Sequence, residues 1–243
     1  MYDFPSKYKI YIQKFGGQFI GDYAYAAYEG FDFKRDYKII CFEDIMEVPL
    51  SPFNLVVGCI EDTTKYLQML GKEVPKPLNI PDELKSFTKR NYEVMTMGKF
   101  KKSTTLPIFV KPHDTLKYFP AGVLTKQSSI DTFFNDIPDD FKVLTSEVLD
   151  IVTEYRGFVR KGHLVGLKNY IGDFLTFPDT SIILQAIDHY KSAPKSYTID
   201  FGVTSTGETI LIECNDGWSV GSYGLDGEIY AGFLMDRWVE LVK

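Results

Sequence analysis

Cysteine and histidine are both scarce in this chain, with three of each among 243 residues. Cys41, Cys59 and Cys214 are odd in number, far apart and set in apolar runs. That excludes a disulfide framework and any zinc-type spacing, and it predicts buried, reduced thiols. His113, His163 and His189 show no metal-ligand spacing, and no Ser/His/Asp or Cys/His set suggests a side-chain nucleophile. Basic residues are also in deficit. With 27 Lys and Arg against 33 Asp and Glu, the net charge is −6. This argues against a general nucleic-acid or anionic-membrane binder and leaves room only for a local basic cleft. There is no long apolar run, and the opening MYDFPSKYK has no apolar signal region. The expectation is a reducing, cytoplasmic setting without a membrane span. Finally, GxGxxG spacing and a P-loop Lys-Ser/Thr are missing, so the Gly16-Gly17 pair reads as a turn and not as a phosphate loop.

What is present is a globular composition, 44% hydrophobic and 15% aromatic, in a chain long enough to bury a substantial core. Three regions are expected: 1–88, 89–150 and 151–243. In the first, strands are predicted at 9–13, 37–42 and 54–60. Helices are predicted at 22–30 and 61–70, the latter capped near Asp62 or Thr63 and ending at Gly71. Strands alternating with helices imply a parallel sheet. Pro75, Pro77 and Pro81 mark a connector, followed by a helix over 82–90. The second region has a strand near 94–97, then Lys99, Lys101 and Lys102, then the apolar strand PIFVKP ending near Lys111. A lysine there either snorkels at the strand terminus or meets a phosphate as a point charge. The loop 113–122, which carries Lys117, could close over a ligand. In the third region, EYRGFVR and HLVGLK flank a two-residue Lys161-Gly162 hairpin turn. Glu154 and Arg156 share one strand face. Arg156 suits a phosphate or carboxylate, although an ion pair with Glu154 or with a neighbouring strand would satisfy it equally well. A helix is expected over 180–190, and an amphipathic helix over 225–242 closes the chain.

The most informative stretch is YTIDFGVTSTGETILIECNDG, residues 197–217. Two apolar, branched strands around a short Gly-bearing turn predict a β-hairpin. It carries Asp200 on one strand and Glu213 and Asn215 on the other, with the last two on one face by the two-residue period. Oxygen donors of this kind hold Mg²⁺, and carboxylates on an apolar strand are costly to bury without a partner or a metal. A solvated hairpin with polar residues on its wet side is the plain alternative.

In order, the chain presents IFVKP at 108–112, EVLD at 147–150, EYR at 154–156, Asp200, and Glu213-Cys214-Asn215. This set resembles the ATP-grasp superfamily of carboxylate–amine ligases, and more narrowly the clade named for one arginine and two lysines, often found in phage and bacterial genomes. The resemblance implies an α/β (α+β) ATP-grasp fold. A Rossmann-like pre-grasp unit at 1–88 would be followed by a small lid subdomain at 89–150 and a C-terminal subdomain at 151–243 with the metal hairpin. It implies ATP and Mg²⁺ as cofactors. Lys111 and, as a weaker match, Lys99 would meet the nucleotide. Glu147, Val148, Leu149 and Asp150 would form the adenine hinge, and Glu154 would bind the ribose. Lys117 and Arg156 would act on phosphate or acyl-phosphate, and Asp200, Glu213 and Asn215 would hold the metal. Two departures stand out: the loop after Lys111 is not rich in glycine, and no arginine neighbours Asp200 on its own strand. The activity implied is ATP-dependent joining of a carboxylate to an amine on an amino acid, peptide or protein, through an acyl-phosphate. The partners implied are the acid and the amine, with no nucleic acid or membrane, and with a homodimer left open. The loop 218–227 is expected to line the acceptor site. A non-catalytic ATP-binding module, or a hydrolase or transferase using Asp200 and Glu213 as acid and base, are the competing readings.

Overall fold

The computed structural model describes residues 7–33, 37–115 and 118–243. Among these residues the backbone forms three four-stranded sheets with helices against them, a mixed α/β architecture as expected. In the first sheet, β1 (Lys9–Phe15) turns at Gly16-Gly17, both at positive φ, into the short antiparallel β2 (Gln18–Phe19). Helix α1 (Asp22–Phe33) follows, and then β3 (Lys38–Phe42) and β4 (Asn54–Val57) both pair parallel to β1. β4 stops short of the predicted 54–60 because helix α2 (Ile60–Met69) already begins there. The helix starts at an N-cap Cys59 that makes no side-chain capping bond, and not at Asp62 or Thr63. A side chain from the neighbouring strand takes part instead: the Cys59 N–H donates to Gln13 Oε1 at 2.8 Å. Such a tertiary cap leaves no local sequence signal.

The second sheet runs β5 (Tyr92–Thr96), β8 (Lys142–Ser146), β6 (Ile108–Pro112), β7 (Gly122–Leu124), antiparallel throughout. Its own small core of Met97, Phe100, Val110, Ile130 and Val143 is covered by α3 (Met97–Ser103) and α4 (Gln127–Phe133). Residues 73–81 lead into it through a 3-10 helix at Asp82–Thr88, which ends at Lys89 in the left-handed region instead of continuing to residue 90 as an α-helix. The third sheet is antiparallel in the order β10 (His163–Gly172), β9 (Ile151–Arg160), β11 (Ser196–Thr204), β12 (Thr209–Asp216). The Lys161-Gly162 turn has both residues at positive φ, as a two-residue hairpin of this hand requires. Helix α5 (Thr180–His189) is capped by the Asp179 side chain and buries Ile183, Ala186 and Ile187 against Tyr197, Ile199, Phe201 and Leu211.

The closing helix α6 (Gly227–Leu241) departs from the amphipathic expectation, since every residue from Tyr230 to Trp238 is buried. One side faces α1 and the first sheet, and the other faces the third sheet. Its charged members survive burial because each is paired. Arg160 reaches Asp236, and Arg237 grips Asp216 at 2.6 Å through both Nε and Nη2. The α1–α6 crossing is tight. A Cβ added at Gly30 would stand 1.8 Å from the Gly227 carbonyl oxygen and 2.9 Å from Ala231 Cβ. Gly30→Ala is therefore expected to cost about 1–3 kcal/mol through overpacking, seen as a lower urea midpoint at unchanged m. The cysteines also correct the expectation of three buried thiols: Cys214 is buried, Cys59 half-buried and Cys41 exposed. Cys41 sits on β3, where Ile39 and Ile40 are half-buried and Phe42 alone is buried, so an apolar run there does not mean a buried one.

Candidate active site

A cavity of 580 Å³ opens between the second and third sheets. The connector at 75–79, the β6–β7 loop, the third sheet and the loop 218–223 all contribute to its wall, with Ile60 of α2 at its edge. Register explains which side chains gather there. Arg156 on β9 pairs with Asp200 on β11, and Asp200 pairs with Glu213 on β12, so the three form one row across three strands. Arg156 donates to both oxygens of Asp200, from Nε at 2.9 Å and from Nη2 at 2.6 Å. The bidentate cross-strand pair is one of the alternatives the sequence left open. The guanidinium also lies 4.5 Å from the Tyr223 ring centroid and 5.6 Å from that of Tyr170. Lys111, at the end of β6, crosses from the second sheet to pair with Glu213. Asn215, two residues on, donates its Nδ2 to Glu213 Oε1 at 3.0 Å.

The electrostatics follow from depth. Asp200 is 1% exposed. Burial pushes its carboxyl up to about 6, with Arg156 pulling back against it. Glu213 feels burial in the same direction, but Lys111, Asn215 and Arg156 outweigh it and hold the carboxyl below its ordinary value. Burial works to lower the Arg156 value, and its two bonds to Asp200 reverse that and raise it.

The expected site residues divide into groups. Lys111, Arg156, Glu213 and Asn215 line the cavity together, with Asp200 buried behind Arg156. Glu154 stands on the same strand as Arg156, and its carboxylate accepts from the Tyr170 hydroxyl at 2.6 Å. Glu147 turns its side chain to the preceding connector, where Oε1 accepts from the Asn91 N–H at 2.7 Å. Val148, Leu149 and Asp150 link β8 to β9, and the Asp150 carbonyl is tied to the Ser205 N–H at 2.9 Å. Lys99 lies on α3, where it pairs with Glu93 on an exposed surface and does not border the cavity. Lys117 lies outside the described residues. From the loop expected at the acceptor site, Trp218, Ser219, Val220, Gly221 and Tyr223 do line the cavity.

Sequence reasoning missed Tyr170 and Tyr223 as the partners of Arg156, and it missed Arg90. Arg90 donates from Nη2 to the Ile212 carbonyl at 2.9 Å, and its buried Nε has no partner among the described residues. Burial lowers its pKa, against the fields of Glu213, Glu154 and Glu147. A lone arginine in the segment FTKRNYE gives no periodic signal. Asp216–Arg237, beside the cavity, was also missed. Arg237→Met should cost about 3–5 kcal/mol by stranding the buried carboxylate, whereas adding Asp216→Leu should recover most of it. A double-mutant cycle by urea denaturation reads this directly.

The donor chemistry at Glu213 and Asn215 suits a hard divalent cation: a carboxylate and an amide side by side on a cavity wall. Asp200, 1% exposed, accepts one bond from Arg156 at each oxygen and keeps the other lone pairs for a further partner. Among the described residues no group of three or more His, Cys, Asp or Glu side chains is placed to hold a metal.

Similarity to known proteins agrees with this geometry. D-alanine–D-alanine ligase from Bacillus anthracis complexed with ATP aligns over 96% of both chains at 12% identity and a TM-score of 0.56. The RimK domain protein ATP-grasp from Sphaerobacter thermophilus DSM 20745 covers 95% of this chain and 97% of its own, at 11% identity and a TM-score of 0.58. D-alanyl-alanine synthetase A from Vibrio cholerae O1 biovar eltor str. N16961 covers 98% and 99%, at 16% identity and a TM-score of 0.57. At such identities the likeness is one of fold. No curated protein matches the chain. Residues 87–233 match the ATP-grasp domain of family 2 in the clade named for one arginine and two lysines. That span holds more than half of the sequence and all of Lys111, Arg156, Asp200, Glu213 and Asn215, and the chain belongs to this ATP-grasp family.

Proposed function

We propose that this protein is an ATP-dependent ligase that joins a carboxylate to an amine through an acyl-phosphate. The observation that carries the reading is the convergence of Lys111, Arg156, Glu213 and Asn215 on one cavity in a chain of the ATP-grasp family. The chemical problem is repulsion between two anions, a substrate carboxylate and the γ-phosphate of ATP. Lys111 reaches the cavity as a point charge from one sheet, and Arg156 as a planar fork from another. Together they neutralise the approaching oxygens and line them up. The carboxylate oxygen bonds to the γ-phosphorus and ADP leaves. The amine nitrogen then bonds to the acyl carbon, phosphate leaves, and the ammonium proton passes to water. Arg156, rigidly held by Asp200, can stabilise the oxyanion of the second step by roughly 2.7–4 kcal/mol. Glu213 and Asn215 would hold Mg²⁺, which supplies charge neutralisation and orientation of the phosphate oxygens. No side-chain nucleophile is needed, in keeping with the absence of one from the sequence.

The substrates proposed are of the amino-acid or peptide class. In the test, a panel of acids and amines is screened for ADP release. The expected result is release that requires Mg²⁺ and an acid, followed by amide formation when the amine is added. A non-catalytic ATP-binding module is the second reading, favoured by the closure of Arg156 on Asp200 and of Lys111 on Glu213. Scrambling of the β,γ-bridging oxygen of labelled ATP in the presence of an acid supports the ligase. ATP binding with no scrambling under any acid would support the module.

A further inference from the structure

A second hollow lies against the main cavity at Trp218. It is smaller, 190 Å³, and shares Ile60, Trp218, Ser219, Val220 and Gly221 with the main cavity as a common wall. Tyr23 on α1 and Tyr230 and Leu234 on α6 complete it, together with the end of β4. Apart from Glu61, Ser219 and the two tyrosine hydroxyls, the side chains that line it are apolar, Val56, Val57, Ile60, Val220 and Leu234 among them. Among the described residues Glu61 is the one charged side chain lining it, and Lys111 and Arg156 stand on the wall of the main cavity only. The Tyr230 hydroxyl already donates to the Val220 carbonyl at 2.6 Å, which leaves its ring to face the hollow. The Tyr23 phenol is pushed up to about 12 by burial and by Cys59, Asp22 and Glu61, so it stays neutral at any working pH. A carboxylate drawn to Lys111 and Arg156 would therefore have this hollow as its neighbour across the 218–221 loop, and an anionic tail entering it would meet Glu61.

We propose that this hollow receives the side chain of the acid substrate and selects carboxylic acids with an uncharged, apolar tail of roughly six heavy atoms or fewer, on the volume a water-sized group occupies. The proposal rests on the ligase reading for the word substrate, but the hollow can be tested without turnover. A pocket of this kind discriminates by about 10-fold or more per methylene.

The experiment uses the whole protein with ADP and Mg²⁺ and a homologous series of probes: acetate, butyrate, hexanoate and glutarate. Binding is followed by saturation-transfer NMR and by Trp218 fluorescence, and ADP release from ATP is measured in parallel. The expected result is affinity rising from acetate to hexanoate by about 10-fold for each methylene that enters the hollow, with glutarate weaker than butyrate. Folded Val57→Phe and Leu234→Phe proteins, each filling the hollow from an element whose changed residue does not border the main cavity, should lose that rise. Affinity independent of tail length, or a rise that survives in both filled variants, overturns the proposal while leaving the ligase reading intact. A tail-length series that holds in binding, with no acid releasing ADP, supports the hollow and overturns the ligase reading instead.

Discussion

Replacing Glu213 by Gln should lower acid-dependent ADP release by at least about 100-fold, or about 2.7 kcal/mol of barrier, in a protein that still folds. Glu213 is on a cavity wall, its side chain a quarter exposed, so the amide can be solvated and the sheet is not asked to bury a new unpaired group. What changes is charge. Glu213 accepts from Lys111 and from Asn215, and both partners are aimed at it. As an amide it can still accept one hydrogen bond but can no longer bind a divalent cation strongly. The dependence on Mg²⁺ should shift to higher concentration, and saturating Mg²⁺ should not restore the rate. Near-normal turnover in this variant would sink the ligase reading, because the hairpin would then have no part in activating the acid.

A second large effect is expected at Arg156. Arg156→Met should destabilise the fold by about 3–5 kcal/mol, because it takes from Asp200 the cation that offsets its burial and leaves both carboxylate oxygens without a donor. The pair also decides between two roles. If Arg156 served only to neutralise Asp200, then Arg156→Met with Asp200→Leu would restore both stability and activity. If Arg156 also meets substrate, the double change restores most of the stability, since replacing a buried pair by apolar residues is often neutral. Ligation should stay down, because the cavity has lost its planar cation. Urea denaturation and steady-state ADP release on the three proteins separate the cases. A double variant with full activity would remove Arg156 from the mechanism.

Much of this arrangement could be read from the sequence. The 197–217 hairpin, the parallel first unit and the strand ending at Lys111 all follow local rules: alternation, branched residues, and glycine where φ turns positive. The row Arg156–Asp200–Glu213 was half legible. The two-residue period assigns faces within a hairpin, but it cannot say that β9 lies beside β11 or that Arg156 is satisfied across strands. What escaped altogether is long-range: Gln13 capping α2, Tyr223 under Arg156, Arg90 reaching the Ile212 carbonyl. Those partners are 46, 67 and 122 residues apart, so no window of sequence contains both. The same cause hides the burial of α6, whose polar residues suggest a wet face until Asp216 and Arg160 arrive from elsewhere to neutralise them.

The burial of α6 on all sides also has a meaning for how the chain comes into being. The first sheet is encoded near the start, yet Tyr230, Phe233, Met235 and Trp238, near the other end, complete its core. During synthesis, which runs at roughly 5–20 residues per second, the opening unit is made well before the helix that covers its apolar flank. The core of the first sheet is thereby tied to a helix encoded far downstream of it.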